Sequence, residues 1–481
     1  MLTQVDFDTT NLLPKNFDED ETTFPATKEV IPPKGTNLVS CKWVYTIKTN
    51  VDGIIKRFKA RLIARGFSQV YREDYLETFA PTVKMDTLRL FLAIVTAENL
   101  KYYQFDIKNT FTESHLKEKI YLVTPPRVPV KRGYTLHTLQ SLYSLNVSLL
   151  VYVDDIITAA KSQHQINQFF QQLSRRFNAK NLREIGKILS TRVTHDKKNR
   201  SIEIDQEQYL TIVLNRFGIT ARKHKTKKIP TADYESLQPA TDDDTHINVK
   251  EYQQGIKSIL FAMIFTRPDI AFVIGKLSQF ISNPVEHHGH TLKNLMWYLR
   301  STIKLRLQYN PGRVYKHFVI YSDADWANDK HNHKSISRSI MMFYNRPISW
   351  SSKKQKSVTT SSCKSEYMAL STCTKQGQWV AQIFQDLKRP NYIKENANLV
   401  QMLGDNQEAI ALTKNPHLHK RSKHINICYH YIRNLGEKGR LHIDFVPTTE
   451  MIANGFTKPL QQVAFERFKN QIGLSDRPLS N

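Results

Sequence analysis

The stretch SLLVYVDDIITAA, residues 148–160, places two adjacent acids between two apolar runs. Both runs are rich in β-branched residues, which favours strands, and the acids stand where a tight turn would join them. A third acid, Asp106, lies near the end of another strand-like run, QFDIKN. Because aspartate is also a common turn residue, the adjacent pair alone is weak evidence. Together the three acids predict neighbouring strands on which Asp106, Asp154 and Asp155 bind metal ions.

The composition indicates a large, basic chain. Its 481 residues suggest about two to four domains. Lysine and arginine number 69 against 44 acids, a net charge of +25, which favours a polyanion partner such as nucleic acid over a merely soluble basic surface. We expect an intracellular chain with no membrane contact. The reasons are that no apolar run approaches about 18 residues, the N-terminus lacks a signal-peptide core, and the cysteines show no paired spacing.

Secondary-structure patterns divide the chain into unequal parts. Strand-like runs flank Asp52-Gly53, which predicts a hairpin, and helical spacing follows in TLRLFLAIVTAEN, 87–99. Further along, helical patterns break before Pro268, and from about Tyr315 strands and helices alternate. The predicted parts are a loose arm (1–37), a strand-and-helix domain (38–220), a linker (221–250), a helical region (251–312), an α/β domain (313–465) and a tail (466–481).

A second set of acids lies in the predicted α/β domain. Asp323 ends a strand in VIYSDADWA, Glu366 opens a helix in SCKSEYMAL, and Asp405 ends the next strand in QMLGDNQEA. Acids from a strand, a helix and a strand that converge at one sheet edge would form a metal site. Each acid alone is explained equally well as a turn or cap residue. In this order, they favour a second metal centre.

Several motifs follow one another along the chain: KWVYTIKTNVDGIIKRFKARLIARGFSQ, QFDIKNTF, YVDD, YSDADWA, ISWSSKKQKSVTTSSCKSEYMALS, GDNQEAIAL and TKPL. Over about residues 38–460, this series resembles the reverse transcriptase and ribonuclease H portion of the Pol polyprotein of copia-class (Ty/copia) retrotransposons. The resemblance implies an α+β and α/β multidomain fold, with truncated reverse transcriptase fingers and palm, a connection region and a ribonuclease H-like α/β domain. It also implies an enzyme that copies element RNA into DNA and degrades the RNA of the hybrid.

The resemblance assigns roles in the polymerase part. It implies that Asp106, Asp154 and Asp155 hold two Mg²⁺ ions there. It also implies that Lys59 and Arg61 of FKARL bind the incoming dNTP, since a triphosphate needs cationic neighbours. Without the family, an exposed strand face is the simpler interpretation of Lys59 and Arg61.

The resemblance assigns roles in the ribonuclease H part as well. Asp323, Glu366 and Asp405 would hold two Mg²⁺ ions, with Asp325 as the fallback for Asp323. The implied partners are an RNA template, a DNA primer, an RNA–DNA hybrid and dNTP. The implied location is the cytoplasm, in virus-like particles, or the nucleus.

One stretch of the polymerase part departs from the family. Asp106 and Asp154 are only 48 residues apart (154 − 106). In the family, a sequence resembling SLYGLKQ is followed by an aromatic-rich helix, whereas this chain has SLYSLNVSLLVYVDD. A helix of about 11–12 residues and a strand of about five cannot fit between Leu145 and Leu149. We therefore expect an internal deletion near 145–149 and loss of polymerase activity.

The ribonuclease H part departs from the family at two positions. In MIANGFTKPL, Asn454 stands where the family has a fourth acid, which predicts weaker metal binding and impaired activity. In SISRSI, Arg338 replaces a small residue, and we expect it to strain its strand. These departures leave open a competing interpretation, a non-enzymatic remnant that binds nucleic acid through charge.

Histidines 287, 288 and 290 superficially resemble a metal cluster. They lack cysteine or carboxylate partners at convincing spacing. We expect them to lie in surface loops.

Overall fold

The computed structural model describes residues 33, 36–49, 55–64, 70, 84–107, 121–122, 148–152, 155–220, 226–231, 237–310, 317–326, 333–359, 361–387, 389–393, 399–414, 426–456 and 460–476. Its strands are β1 (Leu38–Val39), β2 (Cys41–Thr49), β3 (Ile55–Ala64), β4 (Lys101–Ile107), β5 (Tyr121–Leu122), β6 (Ser148–Tyr152), β7 (Asp155–Ala160), β8 (Ala179–Asn181), β9 (Lys187–Ile188), β10 (Thr191–Asp196), β11 (Ser201–Asp205), β12 (Arg306–Tyr309), β13 (Phe318–Asp325), β14 (Ile336–Phe343), β15 (Arg346–Lys354), β16 (Val400–Gly404), β17 (Leu441–Phe445) and β18 (Leu474–Ser475).

The helices within the same residues follow the predicted apolar periodicity. They are α1 (Met85–Glu98), α2 (Gln163–Ser174), α3 (Glu207–Arg216), α4 (Val249–Phe265), α5 (Ala271–Leu277), α6 (Glu286–Ser301), α7 (Ser362–Asp386), α8 (Gln407–Lys414), α9 (Asn426–Glu437) and α10 (Gln462–Gln471). Short 3₁₀ turns lie at Pro268–Ile270, Ser278–Phe280, Pro390–Tyr392 and Ile452–Phe456. In the described part of the chain, no helix combines the length and the apolar character needed to cross a bilayer.

The first sheet is antiparallel, with the strand order β6-β7-β4-β8. Strands β6 and β7 are paired as the sequence predicted for the two apolar runs around the acids. Tyr152 pairs with Asp155, so Asp155 is the first residue of β7 rather than a turn residue. Asp154 lies outside the described residues, as does the predicted hairpin turn at Asp52-Gly53, although its strands β2 and β3 are paired.

Apolar side chains cover both faces of the first sheet. On one face, Phe105 and Ile156 pack against Phe169 of α2. On the other, Tyr102 and Ile157 join the larger core of the molecule. Strand residues alternate between faces, so Asp106 and Asp155 lie on the face that carries Tyr102 and Ile157.

The second sheet, β18-β12-β11-β10-β9, is antiparallel and joins segments far apart in the sequence. Leu307 of the predicted helical region pairs with Ile204 on one side and Leu474 on the other. The predicted tail is therefore wrong for residues 466–476, because α10 crosses that boundary and Phe468 and Leu474 are buried. Local sequence patterns do not reveal such long-range pairing.

The third sheet has the order β15-β14-β13-β16-β17. Strands β13, β14 and β15 are antiparallel neighbours, whereas β16 runs parallel to β13 and β17 runs parallel to β16. Parallel strands end at the same edge of a sheet, which brings the ends of β13 and β16 together. This mixed sheet with α7 against it is the predicted ribonuclease H-like α/β domain.

The histidine segment differs from its prediction as surface loops. His288 is buried on α6, where its Nδ1 accepts from the Val285 backbone N–H at 3.1 Å and its Nε2 donates to the Gln238 carbonyl at 2.9 Å. Its ring stacks on Phe280 with the centroids 4.0 Å apart. Burial, with repulsion from His287, lowers the pKa of His288 to about 4. His288 is thus a neutral, structural side chain.

Helix α1 links the first sheet to the α/β domain. Its buried Arg89 donates through Nε to the Ile348 carbonyl of β15 at 2.8 Å and through Nη1 to the Ile264 carbonyl of α4 at 2.6 Å. The guanidinium lies 3.9 Å from the ring centroid of Trp350. Residues of α1, α4 and β15 consequently belong to one continuous core.

Candidate metal centre

The strand pairing places Asp323 and Asp405 side by side. Tyr321 of β13 pairs with Leu403 of β16, and each acid stands two residues further along its strand direction. Side chains two residues apart point to the same face, so both carboxylates leave the sheet edge on one side. Asp323 is 6% exposed, because β14 and α7 cover it.

Glu366 reaches the same edge from α7. Ser361 caps this helix, its Oγ accepting from the Lys364 backbone N–H at 3.3 Å, so Glu366 falls in the second turn. Gly377 lets α7 lie close to β13, since a Cβ there would come within 2.4 Å of Ile320 Cδ1. Close packing leaves Glu366 7% exposed.

The three acids converge. One carboxylate oxygen from each of Asp323, Glu366 and Asp405 lies within 4.8 Å of the others. Among the described residues, no other set of three histidines, cysteines or acids comes together in this way. The structure thus brings the three predicted acids together at one sheet edge, and their role as metal ligands stays a prediction.

The electrostatics of this cluster favour a bound cation. Burial, followed by repulsion from Asp323 and Asp405, raises the pKa of Glu366 to about 9, although the Ala324 backbone N–H hydrogen-bonds to its carboxylate. Without a cation, Glu366 therefore keeps its proton at neutral pH and shares it with Asp323. A divalent metal would supply the positive charge instead, and hard carboxylate oxygens are suitable ligands for Mg²⁺.

Asn454 lies at the border of the cluster. Its Nδ2 donates to the Thr448 carbonyl at 2.8 Å, and Thr448 Oγ1 donates to Asp405 Oδ2 at 3.0 Å. The position predicted for a fourth acid is therefore two hydrogen bonds from a triad carboxylate. The amide donates to a carbonyl here, which an aspartate could not do.

Changing Asn454 to Asp is expected to raise Mg²⁺-dependent cleavage of an RNA–DNA hybrid about tenfold, since it adds negative charge beside Asp405. The same change should lower the metal-free free energy of unfolding by about 1 kcal/mol, because the bond to the Thr448 carbonyl is lost. Cleavage rates against Mg²⁺ concentration and thermal unfolding measure the two effects. Asn470→Asp, on the exposed side of α10, is the matched control; an unchanged Asn454→Asp rate would contradict the role.

Arg338 is accommodated without a break in its strand. It pairs with Asp323 of β13 and with Ser352 of β15, and the irregularity in β14 comes later, between Met341 and Met342. The expectation of a strained strand is therefore wrong, because the buried guanidinium extends towards acids. Its Nη2 donates to Asp325 Oδ2 at 3.3 Å. Asp325, the fallback ligand, thus faces an arginine and lies outside the cluster of three.

The polymerase acids are only partly described. Asp106 of β4 pairs directly with Asp155 of β7 and, on its other side, with Lys180 of β8. Gln104 Nε2 donates to Asp155 Oδ1 at 2.8 Å. Two of the three predicted ligands are thus cross-strand neighbours, whereas Asp154 lies outside the described residues.

Strand β3 contains Lys59 and Arg61, whose side chains lie outside the described part of the structure. Their predicted role with the triphosphate stays a prediction. Sequence reasoning missed Thr448, which orients Asp405, and the contact of Arg338 with the acids. Neither has a local signal, because both contacts depend on the pairing and packing of separate segments.

An antiparallel palm-type sheet followed by an α/β sheet with three acids at one edge is the architecture of a reverse transcriptase joined to a ribonuclease H-like domain. The family described as reverse transcriptase (RNA-dependent DNA polymerase) matches residues 26–148 and 131–233. Together with the relatives described next, this match supports a relationship of the chain to the Pol polyproteins of Ty/copia retrotransposons.

Two relatives illustrate the extent of the similarity. The retrovirus-related Pol polyprotein from transposon RE1 of Arabidopsis thaliana is 31% identical over 93% of this chain and 32% of its own length. That from transposon TNT 1-94 of Nicotiana tabacum is 30% identical over 92% of this chain and 36% of its own length. The chain therefore spans about a third of these relatives.

The alignment lengths show that RE1 has more residues than this chain over the matched region. The RE1 alignment has 494 positions, whereas 93% of 481 residues is about 447, so about 47 RE1 residues have no counterpart here. The reverse transcriptase family also matches in two separate segments. They overlap at residues 131–148, a range that includes most of the predicted deletion site near 145–149.

Among solved structures, the fold of this chain is similar to the foamy viral protease-reverse transcriptase in complex with an RNA/DNA hybrid. It is 13% identical, with a TM-score of 0.42, and the match covers 88% of this chain and 51% of that one.

Proposed function

We propose that this chain is the reverse transcriptase–ribonuclease H part of a retrotransposon Pol polyprotein, in which the ribonuclease H-like site remains able to cut the RNA of an RNA–DNA hybrid. The observation that carries the proposal is the convergence of Asp323, Glu366 and Asp405 within 4.8 Å. Carboxylates from a strand, a helix and a neighbouring strand would bind two Mg²⁺ ions, which when bound supply an activated water and neutralise the charge developing on the phosphate.

The residues of the chain have separate tasks in this reaction. Asp323 and Asp405 offer oxygens from adjacent strands, and Thr448 holds Asp405 in place through its 3.0 Å hydrogen bond. Glu366 releases its proton when metal binds, while the Ala324 backbone N–H keeps its carboxylate directed at the cluster. Burial of Asp323 and Glu366 excludes water from one side of the site, which strengthens its electrostatic interactions.

Basic residues beside the cluster fit a polyanionic substrate. Lys353, Lys354 and Lys356 are exposed at the end of β15 and just after it. Gln355 Nε2 donates to the Ser365 carbonyl at 2.9 Å, which ties this lysine segment to the start of α7 beside Glu366. With the net charge of +25, this supports nucleic acid as the partner and, at this site, an RNA–DNA hybrid. The location that we propose is the cytoplasm or the nucleus, as for the family that the chain resembles.

We further propose that polymerase activity on RNA template, DNA primer and dNTP is lost in this copy. Asp106 and Asp155 are retained as neighbours, with Asp154 as their expected companion. The support for loss is the absence of about 47 residues relative to RE1, together with the short interval before β6. The metal ligands alone cannot position template, primer and dNTP.

Cleavage of a labelled RNA–DNA hybrid by the purified full chain tests the first proposal. We expect internal cuts in the RNA strand with Mg²⁺ or Mn²⁺ and none with EDTA. Single-stranded RNA and double-stranded DNA are the substrate controls, and both should remain intact. A chain that retains the hybrid in a gel shift but leaves it uncut at every metal concentration would overturn the proposal.

The second candidate is a non-enzymatic remnant that binds nucleic acid by charge. The observation that favours it is Asn454, which removes a negative charge from the expected set of four ligands. It predicts hybrid, duplex DNA and duplex RNA bound with similar affinity and a steep salt dependence, with no metal requirement.

A further inference from the structure

Arg338 is a buried cation beside the acidic cluster. Its side chain has no exposed area, and it stands directly opposite Asp323 on the neighbouring strand. Its Nη2 lies 3.3 Å from Asp325 Oδ2 and its Nη1 lies 3.9 Å from Asp323 Oδ2. A triad carboxylate therefore already has a positive charge beside it in the metal-free protein.

This charge can neither leave nor be neutralised. Arg338 lies within β14, which is paired on one side with Asp323 of β13 and on the other with Ser352 of β15. Burial lowers the pKa of the Arg338 guanidinium, with Asp325 and Asp323 acting in the opposite direction, but an arginine in a protein still keeps its proton at neutral pH. A lysine or arginine on the rim could swing into solvent when a metal arrives, but a fully buried side chain on a central strand has no such route.

We propose that Arg338 is a resident counter-ion that stabilises the metal-free acids and weakens divalent-cation binding at Asp323, Glu366 and Asp405. This inference rests on the proposed function, in which these three acids are the metal ligands. Arg338 would then determine the metal concentration at which the site is filled. Together with Asn454, it would be a cause of weak metal binding.

The physical reason is competition for one carboxylate. The guanidinium lies 3.9 Å from Asp323 Oδ2 in a buried place where charges are poorly screened, so it would repel a cation held by Asp323. Asp323 would also share its charge between two partners. A second metal, adding two more positive charges, would be repelled still more, so the site should hold one cation at concentrations where an arginine-free site would hold two.

Isothermal titration calorimetry of the full chain with Mn²⁺ alone tests this inference. Arg338→Gln should bind the first Mn²⁺ about tenfold more tightly than the unmodified chain, whereas Arg338→Lys, which retains the charge, should stay within about threefold of it. The matched control is Arg192→Gln, because Arg192 contacts Asp205 and Glu207 at 2.9 and 2.8 Å in another sheet. Its Mn²⁺ affinity should not change.

The outcomes separate this inference from the proposed function. If the unmodified chain binds Mn²⁺ and Arg338→Gln binds it equally or more weakly, only the counter-ion role is overturned. If neither binds Mn²⁺, the proposed metal site fails and the inference fails with it. If Arg338→Gln and Arg338→Gly do not fold without metal, recovery of native circular dichroism on adding Mn²⁺ supports the role, and no recovery overturns it.

Discussion

The purified full chain is expected to give no primer extension above background on poly(rA)/oligo(dT), with either Mg²⁺ or Mn²⁺. Strand β4 ends at Ile107 and β6 begins at Ser148, and the family places a palm helix and a strand within this interval. About 47 residues of RE1 have no counterpart in this chain. Without the missing layer, Asp106 and Asp155 can be neighbours and still face no positioned primer or dNTP.

The edge of the palm sheet exposes an apolar side chain. Strand β6 is an edge strand, and its Val151 is 49% exposed on the same face as the buried Ile156. Burying a valine side chain is worth about 1.5–3 kcal/mol, so leaving about half of it in water forgoes about half of that gain. An exposed apolar edge also invites pairing with other chains.

A graft supplies the sharpest control for this prediction. The palm helix and following strand of RE1, inserted between Leu145 and Asn146, should restore extension, and Asp106→Asn in the grafted chain should abolish it again. Robust extension by the unmodified chain would contradict the prediction directly. A graft that folds but stays inactive would show that the missing residues are not the cause of the loss.

The strand-terminal acids were predictable because their signal is local. In β13 and β16, an apolar run followed by an acid marks the place where a strand reaches the edge of its sheet. Their meeting also required parallel pairing in a particular register, with Tyr321 opposite Leu403. The family resemblance supplied that order, whereas the residues alone left each acid open as a cap.

The features that escaped prediction all depend on distant segments. Leu474 could not be recognised as a strand residue until Leu307 paired with it. His288 looked exposed because its neighbours are polar, but the Gln238 carbonyl and the Phe280 ring enclose it. The sequence predicted that Arg338 strains its strand. The acids beside its guanidinium lie on the adjoining strand, so the local sequence does not reveal them.

Replacing Glu366 with Gln is expected to reduce metal-dependent cleavage of the hybrid more than 100-fold. The change removes one of three charged ligands while keeping the size and shape of the side chain. Gln can still accept from the Ala324 backbone N–H and can donate to Asp323, as the protonated Glu366 does. A loss of activity would therefore reflect the missing charge rather than an altered fold.

The same variant should be more stable than the unmodified chain in the absence of metal. The pKa of Glu366 is raised to about 9, so between the unfolded value near 4.5 and that value the unfolded chain releases a proton that the folded chain keeps. Stability accordingly falls as pH rises across this window. Gln cannot ionise, so Glu366→Gln should raise the free energy of unfolding at pH 8 by more than about 1 kcal/mol and flatten its pH dependence.

Glu408→Gln is the matched control, because Glu408 is an exposed acid on α8, three residues after Asp405. It should leave both cleavage and the pH dependence of unfolding unchanged. Hybrid cleavage with Mg²⁺ and denaturant unfolding from pH 5 to pH 9 measure the two effects on all three proteins. Retention of more than a tenth of the activity by Glu366→Gln would remove Glu366 from the metal site. Higher stability combined with lost cleavage would instead mean that three clustered acids, two of them buried, destabilise the metal-free fold and are kept because they bind a cation.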